Sequence, residues 1–313
     1  MPPVELSGVE SRANGPGDAA RTIAVPLTAI GCDEGTELMS AAGTARKYEP
    51  RVPDGVDVTR PSIARIYDYL LYGKDNFAVD RAAAEKLMES RLDPRRLSLA
   101  NRAFLFRAVR FLAQQGIAQY LDLGSGLPTA PSVHEVARDI IPAARVVYVD
   151  HDPIVVAHND ALLATGDGVI TIRGDIRDPD AVLAHKALAA CLDFSQPVAV
   201  LVLGVLHFIS HEEDAAGIIA KFRERLAPGS YLAVSVGTSD GADPEMLAEA
   251  TQTYAGARMP FTLRSRAQIL DLFGGFDLVE PGLVSLPEWR PMFNTDRTPL
   301  KGPTLGAVAQ LRK

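Results

Sequence analysis

A glycine-rich turn directly follows an apolar run near residue 120. The run Tyr120-Leu121-Asp122-Leu123 leads into Gly124-Ser125-Gly126, and a helical pattern follows. This arrangement is typical of a strand that ends at the carboxyl edge of a parallel sheet, where backbone amides are exposed. Glycines there let a ligand approach the main chain without meeting a Cβ atom. The turn is therefore a candidate ligand site, although a turn without a ligand can have the same sequence.

Acidic residues follow the next two apolar runs. Asp150 ends the run Val146-Val147-Tyr148-Val149, and an acidic residue at the tip of the second strand accepts hydrogen bonds from two ribose hydroxyls. After the third run, Asp175 could accept from an adenine amino group, with Ile176 packed against the ring. An aspartate after a strand is also a common helix cap. The fourth run ends in Leu203-Gly204, which we expect to open toward the same crevice.

The charge of the ligand distinguishes two cofactor classes. The pyrophosphate of a dinucleotide is best bound by G-x-G-x-x-G, but the turn Gly124-Ser125-Gly126-Leu127-Pro128-Thr129 has no third glycine in register. Asp122 beside the ligand suits a cationic amino group and a sulfonium better than a pyrophosphate. The sequence thus predicts S-adenosylmethionine as cofactor for methyl transfer. Two alternatives stay open: a NAD-binding dehydrogenase, and a non-catalytic module that binds S-adenosylmethionine or S-adenosylhomocysteine.

One histidine follows the fourth run closely. If the methyl acceptor is a hydroxyl or an ammonium, a general base is needed, and His207 is the candidate because histidine titrates near neutrality. A histidine that only packs at the strand exit explains the position equally well. His207 and His211 have the spacing of a metal pair, but Gly204 and Ser210 argue against a continuous helix, so no metal site is predicted. Trp289 either borders the acceptor pocket or packs over the sheet edge.

The elements that must position these residues alternate along the chain. Strands that alternate with helices and read as continuous apolar runs are covered on both faces by crossover helices. The pattern predicts a Rossmann-like, doubly wound α/β sheet. Its strands are expected at Ala118–Leu123, Arg145–Val149, Gly168–Ile172, Val198–Leu203, Tyr231–Val236, Asp277–Val279 and Thr304–Leu311. Its helices are expected at Val133–Ile141, Ala215–Leu226, Pro244–Tyr254 and Ser265–Phe273.

Helical patterns also precede the first strand. Apolar spacing predicts helices from Ser62 to Leu71, from a cap at Asp80 to Met88, and from Pro94 to Gly116. Residues 1–50 are rich in Gly, Ala, Ser, Thr and Pro, without a convincing period, and we expect them to be disordered. The chain is thus divided into this N-terminal segment, a helical cap or lid at 51–116, and a cofactor-binding core at 117–313.

Composition limits the class of partner. The formal net charge is −7, whereas binding to nucleic acid backbones needs clustered Lys and Arg. The apolar run Val198–Ile209 is too short to span a bilayer, and the first residues lack a signal-peptide pattern. Cys32 and Cys191 lack metal spacing. We expect a soluble cytoplasmic protein with a small-molecule acceptor, no nucleic acid partner and no membrane span.

From about Val52 to its C-terminus, the chain resembles the S-adenosyl methyltransferase family formerly known as a domain of unknown function, found mostly in actinobacteria. The resemblance rests on six stretches in order: Arg60–Leu71, Gly73–Phe77 with Asp80-Arg81, Asn101–Leu105, Asp122–Thr129, Val133–Ala137 and Val147–Asp150. It implies a class I fold with a seven-stranded sheet whose last strand is antiparallel. It implies no particular substrate.

The resemblance also assigns positions near the cofactor. It favours Gly73–Phe77, with Asn76, as a lid over the methionine end. Tyr72 stands where the family usually has glycine, and His151 stands where it often has asparagine, so both are expected close to the cofactor. Independently of the resemblance, Arg65 and Arg102 are candidate partners for the cofactor carboxylate, although an arginine on a helix face is more often solvated or paired within the protein.

Overall fold

A computed structural model of the protein describes residues 57–162, 168–256, 260–292, 300 and 302–312. The described residues all belong to one unit, Arg51–Lys313. Residues 1–50, for which the sequence predicts disorder, lie outside the described residues.

A mixed sheet forms the centre of this unit. Its strands are β1 (Gln119–Leu123), β2 (Arg145–Asp150), β3 (Val169–Arg173), β4 (Ala199–Leu203), β5 (Tyr231–Gly237), β6 (Phe276–Leu278), β7 (Val284–Ser285) and β8 (Thr304–Leu311). Their order is β3-β2-β1-β4-β5-β8-β6, and the two-residue β7 also pairs with β8. Strands β1 to β5 are parallel, and β8 is antiparallel to β5 and to β6. The predicted Rossmann-like sheet with an antiparallel last strand is confirmed, with β7 as a short addition.

Helices cover both faces of the sheet. They are α1 (Ile63–Leu70), α2 (Ala78–Glu89), α3 (Pro94–Gln114), α4 (Val133–Arg138), α5 (Pro153–Leu162), α6 (Pro179–Leu183), α7 (Lys186–Cys191), α8 (Ala215–Arg223), α9 (Pro244–Gly256) and α10 (Arg266–Asp271). Helices α4 and α8 end three residues before the predicted Ile141 and Leu226. Pro142 and Pro228 follow the two predicted ends closely, and a proline disfavours helical backbone in the residue before it, so neither helix continues past this point.

Two apolar layers hold the sheet between the helices. Residues of β1, β4 and β5 are buried along their whole length, as the apolar runs predict. Trp289 belongs to one layer: it is fully buried and packs edge-to-face on Phe104 and Phe111, with ring centroids 5.3 and 5.8 Å apart. Arg107 donates to the Trp289 carbonyl at 2.8 Å. Trp289 therefore packs over the sheet.

A buried ion pair joins α1 and α2. Arg65 Nε lies 2.7 Å from Asp80 Oδ2, and both side chains are almost completely buried. The Asp80 carboxylate also accepts from the backbone N–H groups of Ser62 and Phe77 at 2.9 and 2.8 Å. The sequence predicts Asp80 as the residue that begins α2. Instead the helix begins at Ala78, and Asp80 closes its first turn by binding the Phe77 amide.

Candidate active site

The glycine turn after β1 is bound to the end of β2. The N–H groups of Gly124 and Ser125 both donate to the Val149 carbonyl, at 2.8 and 3.1 Å. Gly124 and Gly126 have φ angles of +75° and +66°, which favour glycine. A Cβ atom on Gly124 would lie 2.4 Å from Val205 Cγ2, whereas one on Gly126 would meet nothing within 4 Å. Gly124 is thus required by packing, and Gly126 presents open main chain.

Asp150 is built into the same turn. Its carboxylate is buried at the tip of β2, where Oδ2 accepts from the Gly126 N–H at 2.9 Å and Oδ1 accepts from the Asp152 N–H at 3.0 Å. Burial raises the pKa of Asp150, and these two backbone hydrogen bonds oppose the rise. The turn and the acidic residue that the sequence predicts as a ribose ligand therefore form one hydrogen-bonded unit.

Asp122 is a second buried carboxyl group beside this unit. It lies opposite Tyr148 of β2 and is 5% exposed. Burial raises the pKa of Asp122 to about 7, with the Asp150 charge adding to the rise and Arg102 opposing it. Its oxygens accept no hydrogen bond within the described residues. A cationic ligand group would stabilise the ionised form of such a carboxyl.

Neighbouring side chains support the turn. Ser125 Oγ accepts from Asn159 Nδ2 of α5 at 3.1 Å. Arg102 of α3 donates from Nη2 to the carbonyls of Thr129 and Pro131, at 2.8 and 2.7 Å. Arg102 therefore fixes the loop after the glycine turn, and its role as a partner for the cofactor carboxylate stays a prediction.

The predicted adenine contacts lie at the tip of β3 and after β2. Asp175 is bound by Arg177, whose Nη2 and Nε donate to Oδ2 at 2.6 and 3.0 Å, and Arg177 also pairs with Glu213 at 3.3 Å. Burial raises the pKa of Asp175, but the hydrogen bonds from Arg177 outweigh it and the net pKa is lowered. Ile176 is buried. His151 is largely exposed, and its Nδ1 lies 3.5 Å from Asp150 Oδ1.

The predicted lid is ordered by one aspartate. Asp68 Oδ2 accepts from the Asp75 N–H at 2.9 Å and from Asn76 Nδ2 at 2.8 Å. A Cβ atom on Gly73 would lie 1.9 Å from Asp68 Oδ1, so a larger residue there would displace the carboxylate that orders the lid. Tyr72 has φ +64° and is 73% exposed, so it adopts the backbone conformation that suits the glycine usual in the family. Within the described chain, Asn76 thus holds the lid in place by its hydrogen bond to Asp68, and its contact with the cofactor stays a prediction.

The cap contacts the loop that follows β2. Ser62 Oγ donates to Asp152 Oδ2 at 2.7 Å, and the Asp152 N–H binds Asp150. On the lid, Asp75 Oδ1 lies 3.8 Å from His158 Nε2 of α5. These contacts place the cap helices at the sheet edge that carries Asp150.

A polar chain lies beside Gly204, and the sequence patterns do not predict it. Ser235 Oγ donates to Asn101 Oδ1, Asn101 Nδ2 donates to the Tyr67 hydroxyl at 2.9 Å, and that hydroxyl donates to the Ser98 carbonyl at 3.2 Å. The Gly204 N–H donates to the Ser235 carbonyl at 3.0 Å. The three polar side chains come from α1, α3 and β5, so no local motif joins them.

His207 lies in a short 3₁₀ turn, Leu206–Phe208, after which Ile209 is extended. His207 and His211 therefore do not share a helix. Nδ1 of His207 is buried and has no hydrogen-bond partner among the described residues. Burial, and secondarily the charge of Arg264, lower the pKa of His207 to about 4. The imidazole is neutral at neutral pH and can accept a hydrogen bond.

Aromatic rings surround His207, another feature that the sequence patterns miss. Tyr254 of α9 stacks on Phe261 with centroids 4.6 Å apart and an interplanar angle of 15°. Phe208 lies 5.5 Å from Tyr254, and His207 lies 5.8 Å from Phe261. The rings come from three separate segments, so only their aromatic character could have been noted in advance.

Three further observations concern the described part of the chain. A cavity of about 470 Å³ lies at the opposite edge of the sheet, beside Gln119 and Arg145, and none of the predicted site residues lines it. No group of three or more His, Cys, Asp or Glu side chains is arranged to hold a metal ion among the described residues. None of the helices that the structure describes is long and apolar enough to cross a membrane.

The sheet order, the antiparallel β8, the glycine turn after β1 and the carboxylate after β2 together define a class I S-adenosylmethionine-dependent methyltransferase. The sequence model of the S-adenosyl methyltransferase family matches residues 50–312, and the chain belongs to this family. S-Adenosylmethionine is therefore its cofactor, as predicted. Neither the dehydrogenase nor the non-catalytic alternative receives support.

Solved structures agree with this assignment. A DUF574 family protein from Streptomyces avermitilis is 38% identical, with a TM-score of 0.77 over 82% of this chain and 99% of its own. A candidate methyltransferase from Thermobifida fusca is also 38% identical, with a TM-score of 0.78 over 85% of this chain and 100% of its own. No curated protein matches the sequence.

Proposed function

We propose that the protein methylates a small molecule bound between the cap, the end of β4 and the aromatic rings around His207. When bound, the cofactor supplies an electrophilic methyl group, so the protein mainly has to align the acceptor and exclude water. The Gly126–Asp150 unit beside the unpartnered carboxyl of Asp122 supports the cofactor side of this proposal, and the aromatic rings around His207 support the acceptor side. The division into a cap at 51–116 and a core at 117–313 belongs to the same proposal.

In this proposal, residues at the carboxyl ends of β1 and β2 bind different parts of the cofactor. Asp150 keeps acceptor capacity for the ribose hydroxyls, because a carboxylate has about four lone-pair sites and backbone amides use two of them. Asp122 pairs with the cationic amino acid end. Gly126, whose Cβ position is open, allows the cofactor to approach the main chain. In this assignment Ser125, His151, Ile176 and Leu203 contribute contact surface.

The acceptor side orients a nucleophile. The neutral imidazole of His207 has an unused ring nitrogen, which can accept a hydrogen bond from a hydroxyl or amine. Its low pKa makes His207 a weak base, so its main contribution is to hold the acceptor's proton during transfer. A cytoplasmic location belongs to the same proposal.

A methyl-transfer assay on fractionated acceptors tests the proposal. S-Adenosylhomocysteine release is measured with the low-molecular-weight, protein and nucleic acid fractions of a bacterial extract. We expect release with the low-molecular-weight fraction alone, retained in Gly116→Ala and strongly reduced in Gly126→Ala. Release only with the protein or nucleic acid fraction would overturn the small-molecule proposal.

A further inference from the structure

Four ring-bearing side chains form what we name the aromatic set: His207, Phe208, Tyr254 and Phe261. All four are half-buried. Besides the stacked Tyr254–Phe261 pair, the His207 and Phe208 rings lie 4.3 Å apart, and Phe208 lies 6.4 Å from Phe261. Aromatic groups gain most from offset or edge-to-face contacts at these separations. The set therefore offers partly open ring faces and edges to another flat ring.

The aromatic set adjoins the cofactor edge of the sheet. The Thr262 N–H donates to the His207 carbonyl at 2.7 Å, which fixes Phe261 beside the exit of β4. Tyr254 packs against the apolar cluster of the cap, which includes Ile66 and Leu87. The set thus lies between the cap and the end of β4, close to Gly204 and the polar chain of Tyr67, Asn101 and Ser235.

The electrostatics of the set select against charged ligands. Arg264 is the charged side chain, among the described residues, that shifts the pKa of His207. Its guanidinium is buried and donates to the carbonyls of Leu206, Ile209 and Ser210, and its charge repels a cation. Burial alone raises the pKa of Tyr254 to about 12. A charged ligand would therefore lose hydration without gaining a partner.

We infer that the methyl acceptor is a neutral aromatic molecule that carries a hydroxyl group. Its ring packs in the aromatic set, and its hydroxyl donates to Nδ1 of His207, the buried nitrogen that lacks a partner. The inference rests on the proposed function, because it concerns the acceptor half of the same site. Hydrogen bonding to a buried unpaired nitrogen explains the preference for a donor, since an unmet buried polar atom is costly.

Ligand-observed NMR tests the inference with four matched probes: 2-naphthol, 2-naphthoate, 2-naphthylmethylammonium and decahydro-2-naphthol. The full-length protein is saturated with S-adenosylhomocysteine throughout. We expect 2-naphthol to bind at least about fivefold more tightly than each of the other three, because the saturated alcohol loses aromatic stacking and the two ions lose hydration. Equal or tighter binding of the naphthoate, the ammonium or the saturated alcohol would overturn the inference.

Two variants locate the binding. Phe261→Leu keeps an apolar side chain but removes a ring face, and should weaken 2-naphthol about fivefold or more. Phe194→Ala is the control, since Phe194 is also half-buried but adjoins Asp193 at the other edge of the sheet. Equal effects of the two variants would contradict the assignment. Calorimetry distinguishes failure of the proposed cofactor site from failure of the inferred acceptor class. If the protein does not bind S-adenosylhomocysteine, the proposed cofactor site is refuted. If it binds S-adenosylhomocysteine but not 2-naphthol, only the acceptor class is refuted.

Discussion

The two halves of the proposed site are built in different ways. The cofactor half consists of carboxylates and main-chain amides at the ends of β1 and β2, within about thirty residues of sequence, and Asp150 binds the glycine turn directly. The acceptor half consists of aromatic rings and a neutral imidazole from segments that are far apart in the chain. Acidic groups suit a cationic cofactor, and uncharged rings suit a neutral acceptor.

The contrast shows how the requirements of the two ligands differ. The cofactor is the same throughout the family, so its half can be built on the fixed geometry of adjacent parallel strands. The acceptor half is assembled from the cap, α9 and the loop after β4, elements that can vary without disturbing the sheet. Variants in one half should therefore leave the ligand of the other half almost unaffected.

The largest expected effect is on turnover, in the acceptor half. His207→Phe, which keeps a ring but has no nitrogen to accept a hydrogen bond, should lower the rate of methyl transfer by up to roughly 10²-fold, because the acceptor's donor group is left without its partner. Affinity for S-adenosylhomocysteine should not change. In the wild type, this contribution should persist down to about pH 5, since His207, with a pKa of about 4, stays neutral above that value. Full turnover in the variant would assign His207 to packing alone.

The next effect is on cofactor affinity. Asp150→Ala should weaken binding of S-adenosylhomocysteine by about 1.5–3 kcal/mol, the usual loss for a charged hydrogen-bond partner. Calorimetry measures the change, and circular dichroism checks that the variant is folded. Asp277→Ala is a matched control, because Asp277 is an exposed aspartate on β6 that pairs with Arg312, away from the proposed site. A folded Asp150→Ala variant with wild-type affinity would show that the ribose is held elsewhere.

A pair of glycine variants separates backbone strain from ligand approach. Gly116 and Gly126 have φ angles of +86° and +66°, and a Cβ atom on either meets nothing within 4 Å. Each alanine variant should therefore lose about 1–2 kcal/mol of stability. Only Gly126→Ala should also weaken cofactor binding, by about tenfold, since its Cβ atom faces the proposed ligand. Similar affinities for the two variants would remove Gly126 from the site.

The last effect is on the pH dependence of stability, and it involves no ligand. The pKa of Asp122 is about 7 in the folded protein and near its ordinary value of 3.8 in the unfolded chain. Between these values the folded state retains a proton that the unfolded state has released. The free energy of unfolding should therefore fall as the pH rises from about 4 to 7, by at most about 1.4 kcal/mol for each pH unit from this group.

Denaturant unfolding of Asp122→Asn across this pH range gives the comparison. The variant should lose the contribution of Asp122 to the slope. Its free energy of unfolding should therefore rise relative to that of the wild type as the pH rises. Asp150, whose pKa is also raised, adds a slope of the same sign that stays in the variant. Parallel curves for the two proteins would show that Asp122 is ionised in the folded state.

The sequence predicts the cofactor half far better than the acceptor half. Apolar runs locate β1 to β5 within one or two residues, and parallel strands place their carboxyl ends on a common edge, so Asp122, Gly124 and Asp150 can be grouped in advance. The pairing of Arg177 with Asp175, by contrast, depends on the rotamer that the Arg177 side chain adopts, which no sequence pattern specifies. Helices α6 and α7 are too short to show a clear period.

The acceptor half depends on long-range packing. Asn101 and Ser235 are 134 residues apart and meet only because α3 crosses the end of β5. Tyr254 and Phe261 cannot be distinguished in the sequence from ordinary apolar residues, and only the structure shows Phe208 beside both of them. The burial that lowers the pKa of His207 likewise comes from the folded surroundings, so its spacing after β4 suggests a base but not a neutral, weakly basic one.

A crystal structure of the complex with S-adenosylhomocysteine would show directly whether Asp122, Gly126 and Asp150 form the cofactor site. We expect both ribose hydroxyls to lie within about 3.2 Å of the Asp150 carboxylate. We also expect the amino group to lie beside Asp122 and the main chain of Gly126 to contact the ligand. A ligand bound elsewhere, for example in the cavity beside Gln119 and Arg145, or with its ribose away from Asp150, would contradict this assignment.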